Sequence, residues 1–218
     1  MYLLIKPASG ACDLGCKYCF YTDEMSCRSE AVRGMMKTET VSRILGKALE
    51  RCAEHMPPEP LSVGFQGGEP LLAGTDFYRF VCDFVEKNNT RGVRVSYFLQ
   101  TNGTHLDAEF AEFFAAHGFL VGLSVDGPKE YHDRHRVTRD GRSCFNRVMR
   151  AAENMRRAGV EFNTLTVVTS ASATHAQALY GFFARSGFRY QQYIPCVAPF
   201  GAVDNAKLGL DADKYGEF

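Results

Sequence analysis

Three cysteines near the amino terminus have a spacing suited to a metal cluster. Three and then two residues separate Cys12, Cys16 and Cys19, which follow a short apolar run at residues 2–6. Cysteine thiolates hold iron–sulfur clusters, and a four-iron cluster takes one ligand per iron. A loop that supplies only three thiolates leaves one iron for a ligand from outside the protein, so the motif predicts a reactive cluster.

Two other uses of these thiols remain open. A structural zinc ion takes four Cys or His ligands, and no second Cys-x2-Cys pair follows, although His132 and His135 are candidate ligands. A disulfide is disfavoured because no secretory signal precedes the loop and reducing compartments keep thiols apart. Cys52 and Cys82 fall on the apolar faces of predicted helices, and we expect them in the core.

Other polar motifs follow predicted strands. They are Gln-Gly-Gly-Glu-Pro at residues 66–70, Gln-Thr-Asn-Gly-Thr at 100–104 and Ser-Val-Asp-Gly-Pro at 124–128. Each also has an ordinary interpretation as a turn whose polar side chains satisfy loop amides. The arginines at positions 134, 136, 139 and 142 are most simply a solvated basic loop, although the planar guanidinium group is well suited to a carboxylate ligand.

Apolar patterns place these motifs between alternating strands and helices. Strands are expected at residues 2–6, 61–66, 93–100, 119–125, 162–168 and 188–196. Amphipathic helices are expected to start at Thr38 and Asp107, to lie around residues 77–85, 143–158 and 174–186, and to open again at residue 211. Residues 22–37 are predicted to form a polar loop over the mouth of the site.

Strands that alternate with helices indicate crossover units and a parallel sheet. The carboxyl ends of parallel strands meet at one edge, where α/β barrels build their sites. The cysteine loop and the three polar motifs all fall at such ends. Six strands predict an open, curved relative of the eight-stranded α/β barrel, and periodicity leaves a doubly wound sheet as the alternative.

The composition excludes several classes of function. The 218 residues fit one domain with a sizeable core, and 25 Lys and Arg balance 25 Asp and Glu. This balance leaves no net field to attract nucleic acid or anionic lipid, so neither partner is expected. No apolar run approaches the roughly 18–20 residues that span a bilayer, and no signal pattern opens the chain. We therefore expect a cytoplasmic protein without a membrane partner.

The cysteine loop, with Tyr18 before its last cysteine, resembles that of radical S-adenosylmethionine (radical SAM) enzymes. The Ile-Lys-Pro-Ala-Ser start, the Tyr-Cys-Phe-Tyr run and the motifs at residues 66–70, 100–104 and 122–128 together resemble a narrower group, the anaerobic sulfatase-maturating enzymes of the SPASM type. This resemblance implies a partial (β/α)6 barrel. It also implies that residues 1–218 form the core domain and stop before a C-terminal domain with auxiliary clusters.

The resemblance assigns family roles position by position. Cys12, Cys16 and Cys19 would hold a [4Fe-4S] cluster whose open iron binds S-adenosylmethionine. The residues expected at that cofactor are Tyr18, Gly68, Ser124, Arg136 and Val197. A substrate role is expected for Tyr21, Gln66 and Asn102. No catalytic base is assigned, because the family's proton acceptor is expected beyond residue 218.

The implied reaction oxidises a Cys or Ser of a sulfatase polypeptide to Cα-formylglycine through a 5′-deoxyadenosyl radical. An electron donor such as a ferredoxin or flavodoxin would reduce the cluster. One alternative is another radical peptide-modifying maturase, which forms thioether or carbon–carbon crosslinks. The other is a non-enzymatic iron–sulfur or zinc module, which predicts no cleavage of S-adenosylmethionine.

Overall fold

Six parallel strands form one sheet in the computed structural model, which describes residues 1–197 and 208–218. The strands are β1 (Tyr2–Ile5), β2 (Leu61–Phe65), β3 (Val95–Thr101), β4 (Phe119–Ser124), β5 (Glu161–Val168) and β6 (Gln191–Pro195). They lie side by side in chain order, so every connection is a crossover. Among the described residues β1 and β6 are the edges of the sheet. The fold is therefore an open, partial (β/α)6 barrel, and the predicted fold class is confirmed.

Helices occupy the crossovers between the strands, and a short helix follows β6. They are α1 (Phe20–Ser26), α2 (Thr38–Ala53), α3 (Thr75–Asn88), α4 (Ala108–Ala116), α5 (Lys129–His135), α6 (Phe145–Ala158), α7 (Ser170–Ala173), α8 (Ala176–Arg185) and α9 (Ala212–Glu217), with a 3-10 turn at Pro70–Ala73. The side chain of Asp107 accepts a hydrogen bond from the Phe110 N–H and caps α4, as its residue type predicts. None of the described helices is long and apolar enough to cross a membrane.

Two polar segments that were predicted as loops contain helices. Helix α1 occupies the start of the predicted loop 22–37, and α5 includes Arg134, the first arginine of the segment that was interpreted as a basic loop. The polar composition of α5 concealed its inward face, on which His132 and His135 are buried. The predicted helix 174–186 is present as α8, and a capping box at Thr169 starts the short helix α7 before it.

Aromatic side chains fill the core between the sheet and the helices. Tyr78 of α3 is fully buried, and its ring meets Phe65, Phe114 and Phe119 with centroids 5.2–6.3 Å apart. The Tyr78 hydroxyl donates to the Pro70 carbonyl at 2.8 Å, so burial leaves no donor unsatisfied. This packing fixes α3 and α4 against β2 and β4, and it fixes the start of the segment that follows β2.

The opposite, concave face of the sheet encloses a cavity of about 230 Å³. Its lining includes side chains from both edge strands and from the strands between them: Tyr2, Leu4, Gln66, Gln100, Leu120 and Gln192. Polar side chains lie towards the carboxyl ends of β2 and β3, where the Gln66 amide donates to the Gln100 side chain at 2.5 Å. The cavity therefore opens beside the sequence motifs.

Candidate active site

The cysteine loop follows β1 and carries three half-buried thiols. Cys12, Cys16 and Cys19 are all free. Burial raises the pKa of Cys12 to about 12, opposed by a hydrogen bond from the Leu14 N–H. Burial also raises the pKa of Cys16, Arg136 opposes that rise, and the charge of Cys19 adds to it. Free thiols gathered on one loop are a suitable ligand set for a cluster, because a bound metal favours their deprotonated form.

The segment after β2 packs its backbone directly on the cysteine loop. The Gly68 N–H donates to the Ser9 carbonyl at 3.1 Å, and the Glu69 N–H donates to the Ala11 carbonyl at 2.7 Å. A Cβ atom at Gly68 would lie only 2.0 Å from that Ala11 oxygen, so a larger residue would displace the loop. Gly67 has φ +121°, a conformation that L side chains rarely adopt. The glycines are thus needed for close contact with the cysteine loop itself.

Glu69 joins this segment to the end of β3. Its carboxylate is buried and accepts hydrogen bonds from the Leu71 N–H at 3.0 Å, the Thr101 hydroxyl at 2.7 Å and the Asn102 N–H at 2.8 Å. Burial raises the pKa of Glu69 to about 7, although the three donors oppose that rise. The structural role of this residue was not predicted, since no sequence signal distinguishes a buried glutamate in a turn.

Asn102 contacts the cysteine loop from the β3 side. Its amide donates to the Asp13 carboxylate at 2.9 Å and lies 3.7 Å from the Cys12 sulfur. Asp13 also accepts from the Thr104 hydroxyl at 2.7 Å. Although burial raises the pKa of Asp13, these bonds and the nearby His105 hold it well below its usual range. Asn102 is only 7% exposed, so the structure turns it towards the cysteine loop, and its substrate contact stays a prediction.

The segment after α5 pairs with the other side of the cysteine loop. The Gly15 N–H donates to the Val137 carbonyl at 2.8 Å, and the Lys17 N–H donates to the His135 carbonyl at 3.0 Å. The Arg139 side chain reaches the Cys12 carbonyl at 3.0 Å. The cysteine loop therefore lies between two backbone segments that are far apart in the sequence.

The buried residues Asp126 and Arg136 form a group with the half-buried Tyr18 beside the thiols. The Tyr18 hydroxyl donates to Asp126, and Arg136 Nε donates to the same carboxylate oxygen at 3.0 Å. The guanidinium carbon lies 5.4 Å from the centroid of the Tyr18 ring. Although burial lowers the pKa of Arg136, Asp126 raises it above its usual range and keeps the group charged. Asp126 was not predicted as a site residue.

The remaining predicted site residues lie at the rim of the concave face. Ser124 ends β4 and is half-buried, and Val197 follows β6 with 78% of its surface exposed. Tyr21 lies on α1, where the Lys6 ammonium is 4.3 Å from its ring centroid. Gln66 lines the cavity. The structure thus places these four side chains at the carboxyl edge of the sheet, and their contacts with cofactor or substrate stay predictions.

His132 groups with Cys144 and Asp133, not with the cysteines of the loop. Its Nδ1 accepts from the Asp126 N–H at 3.4 Å, which puts the imidazole proton on Nε2, 3.3 Å from the Cys144 sulfur. That thiol in turn donates to the Arg136 carbonyl at 3.4 Å. Together with Asp133, these groups are close enough to surround a metal ion. A metal on Nε2 would move the proton to Nδ1, opposite a backbone donor, so hydrogen bonding describes this cluster better.

Comparisons with known proteins agree with this geometry. Residues 7–175 match the family model of the radical SAM superfamily. The cysteine-type anaerobic sulfatase-maturating enzyme of Clostridium novyi is 42% identical over 197 residues, which are 90% of this chain and 51% of that protein. The serine-type anaerobic sulfatase-maturating enzyme of Klebsiella aerogenes is 33% identical over 217 residues, 100% of this chain and 52% of that protein.

Solved structures agree as well. Native anSMEcpe with bound AdoMet and Cp18Cys peptide superimposes with a TM-score of 0.90 at 37% identity, covering 100% of this chain and 57% of that one. The chain therefore spans about half the length of the relatives it matches. The resemblance seen in the motifs is confirmed: the protein belongs to the radical SAM superfamily.

Proposed function

We propose that this chain is the core of an anaerobic sulfatase-maturating enzyme, which converts a Cys or Ser of a sulfatase polypeptide to Cα-formylglycine. The observation that carries the proposal is the loop of three free thiols held between the Gly67–Gly68 segment and the segment after α5. The identity of 42% to a cysteine-type maturase supports the same substrate class. In this proposal residues 1–218 form one core domain, and a C-terminal domain with auxiliary clusters follows.

Cys12, Cys16 and Cys19 are the proposed ligands of a [4Fe-4S] cluster with one open iron. When bound, the cluster and S-adenosylmethionine supply one-electron cleavage of the sulfonium and hence a carbon radical that abstracts hydrogen. The residues of this chain have another task, which is to hold cofactor and substrate in one geometry while water is excluded. The donor of the electron is proposed to be a ferredoxin or flavodoxin, in the cytoplasm.

Five residues are proposed to surround S-adenosylmethionine. Gly68 offers backbone next to the cysteine loop, and Ser124 offers a hydroxyl at the end of β4. Arg136 is a charged, nearly buried guanidinium, which suits the carboxylate of the methionyl portion. Tyr18 and Val197 are assigned to the adenine side.

The substrate peptide is proposed to enter from the open face of the sheet. The cavity of about 230 Å³ ends in the paired amides of Gln66 and Gln100, which can bind a peptide backbone. Tyr21 would form part of the wall of this entry. Asn102 is retained as a substrate candidate only at the edge of the site, because its amide already bonds Asp13.

The test uses full-length protein reconstituted anaerobically with iron and sulfide. We expect about four irons at the three-cysteine site, formation of 5′-deoxyadenosine after reduction, and an aldehyde in a sulfatase-derived peptide that contains Cys or Ser. A variant with all three loop cysteines replaced by alanine serves as the control and should lose each of these. Zinc in the loop, or iron saturated by protein ligands, would refute the proposal. Cleavage of the cofactor with a crosslinked peptide and no aldehyde would favour the other class of peptide maturase.

A further inference from the structure

Asp126 accepts hydrogen bonds from three separate parts of the chain. The residue lies two positions beyond the end of β4 and is 4% exposed. One oxygen accepts from the Tyr18 hydroxyl and from Arg136 Nε, and the other accepts from the Val167 N–H at 3.0 Å. A buried carboxylate is costly unless charged and neutral donors surround it in this way. Asp126 therefore fixes the cysteine loop and the end of α5 relative to β4 and β5.

Arg136 uses only part of its hydrogen-bonding capacity in the structure. A guanidinium has five N–H donors in one plane, and Asp126 engages the donor at Nε. In the part of the chain that the structure describes, Arg136 donates a side-chain hydrogen bond from Nε and none from its two terminal nitrogens. Neither nitrogen is completely buried without a partner, so each keeps some exposed surface although the residue is only 8% exposed. The terminal edge of a planar cation is thus left available at the site, while its other edge is fixed.

We propose that Asp126 is a positioning residue, which orients the guanidinium of Arg136 so that its terminal edge binds the carboxylate of S-adenosylmethionine. The inference rests on the proposed function, since it assigns that cofactor to this site. Arginine has several rotatable bonds, and ordering it on binding weakens affinity unless the side chain is already in place. Asp126 supplies that order, and the Tyr18 ring beside the guanidinium narrows its freedom further.

The charge of Asp126 and its orienting role should have opposite effects on the affinity for S-adenosylmethionine, which makes the proposal testable. The negative charge of Asp126 also reduces the attraction between Arg136 and a second carboxylate. If charge alone governed the site, the Asp126→Asn variant would bind S-adenosylmethionine more tightly than the wild type. If orientation governs it, the variant binds less tightly, because asparagine keeps an oxygen for the Val167 N–H but no longer holds the guanidinium by an ion pair.

The experiment measures dissociation constants for full-length protein reconstituted with iron and sulfide. The two probes are S-adenosylmethionine and 5′-methylthioadenosine, which lacks the amino acid portion. For Asp126→Asn we expect S-adenosylmethionine to bind about tenfold more weakly, with less than about a twofold change for 5′-methylthioadenosine. Asp140→Asn is the matched control, because Asp140 pairs with the Nε of Arg142 at 2.7 Å on the exposed surface. It should bind both probes as the wild type does.

A double-mutant cycle tests whether Asp126 affects cofactor binding through Arg136. In an Arg136→Gln background, Asp126→Asn should produce no further loss for S-adenosylmethionine. If Asp126→Asn fails to fold, Asp126→Glu carries the test, since glutamate keeps the charge but moves the carboxylate relative to the guanidinium, and the same selective loss is expected. Equal losses for both probes, or unchanged or tighter binding of S-adenosylmethionine, would overturn the inference. Failure of the wild type to bind S-adenosylmethionine would instead reject the proposed function.

Discussion

The buried imidazole of His132 should make stability fall on mild acidification. Burial lowers the pKa of His132 to about 4, Asp126 and Asp133 oppose that shift, and Arg136 and Lys129 add to it. The residue has no exposed surface, and its ring bonds leave no position for a second proton. An unfolded chain has no such restriction, so its histidine takes up a proton at the ordinary pKa of about 6.5.

The sign and size of the effect follow from proton linkage. Between pH 6.5 and pH 4 the unfolded state binds a proton at this position and the folded state does not, so stability is lost as the pH falls. With folded and unfolded pKa values of about 4 and 6.5, the loss at pH 5 relative to pH 7.5 is about 2 kcal/mol. A folded pKa one unit higher would still give about 1.6 kcal/mol.

The assay compares urea unfolding of the metal-free wild type and the His132→Asn variant at both pH values. Asparagine keeps an acceptor for the Asp126 N–H and does not titrate, and all other ionisable groups are common to both proteins. The wild type should therefore lose about 2 kcal/mol more than the variant between pH 7.5 and pH 5. If the difference in unfolding free energy between the wild type and His132→Asn is the same at pH 7.5 and pH 5, the reasoning is refuted.

Three further predictions concern the surroundings of the cysteine loop. Glu69→Gln should remove a titration whose effect on stability has the opposite sign to that of His132. The stability that Glu69 contributes is present below pH 4.5 and is lost as the pH rises through about 7. In urea unfolding, the wild type should therefore lose about 2.5 kcal/mol relative to the variant from pH 5 to pH 8. Gly68→Ala should sharply reduce the iron bound per chain on reconstitution, because the new Cβ would clash with the Ala11 oxygen. Gly46→Ala in α2 is the control, because its new Cβ would contact only a ring carbon at 3.9 Å. This variant should bind iron normally, and its free energy of unfolding in urea should rise by about 0.5–1 kcal/mol. Asn102→Ala removes an N–H donor near the Cys12 sulfur and should lower the reduction potential of the cluster in a titration followed by electron paramagnetic resonance, whereas an unchanged potential would contradict this role.

Local patterns predicted most of the fold because each parallel strand and its helix carry their own apolar periodicity. Leu61, Val63 and Phe65 alternate in β2, and all three are buried against the helices. The patterns failed for α5, since its buried side chains are histidines and its inward face looks polar. The Cys loop could be predicted from spacing, whereas Asp126 could not. Its importance arises from donors 108, 10 and 41 residues away, which only the folded sheet brings together.

Two buried carboxylates support the cysteine loop, Glu69 on one side and Asp126 on the other. They differ in the donors that surround them, and this difference governs how much a neutral substitution at each position destabilises the fold. Glu69 accepts only neutral donors, so a neutral glutamine is the milder substitute and the site tolerates protonation near pH 7. Asp126 faces a guanidinium that is 8% exposed. Removing one partner of a buried ion pair costs about 3–5 kcal/mol, because the remaining charge is left without compensation. Asp126→Asn should therefore lower the free energy of unfolding at pH 6 by more than Glu69→Gln does, and the reverse order would show that Arg136 obtains its compensation from solvent instead.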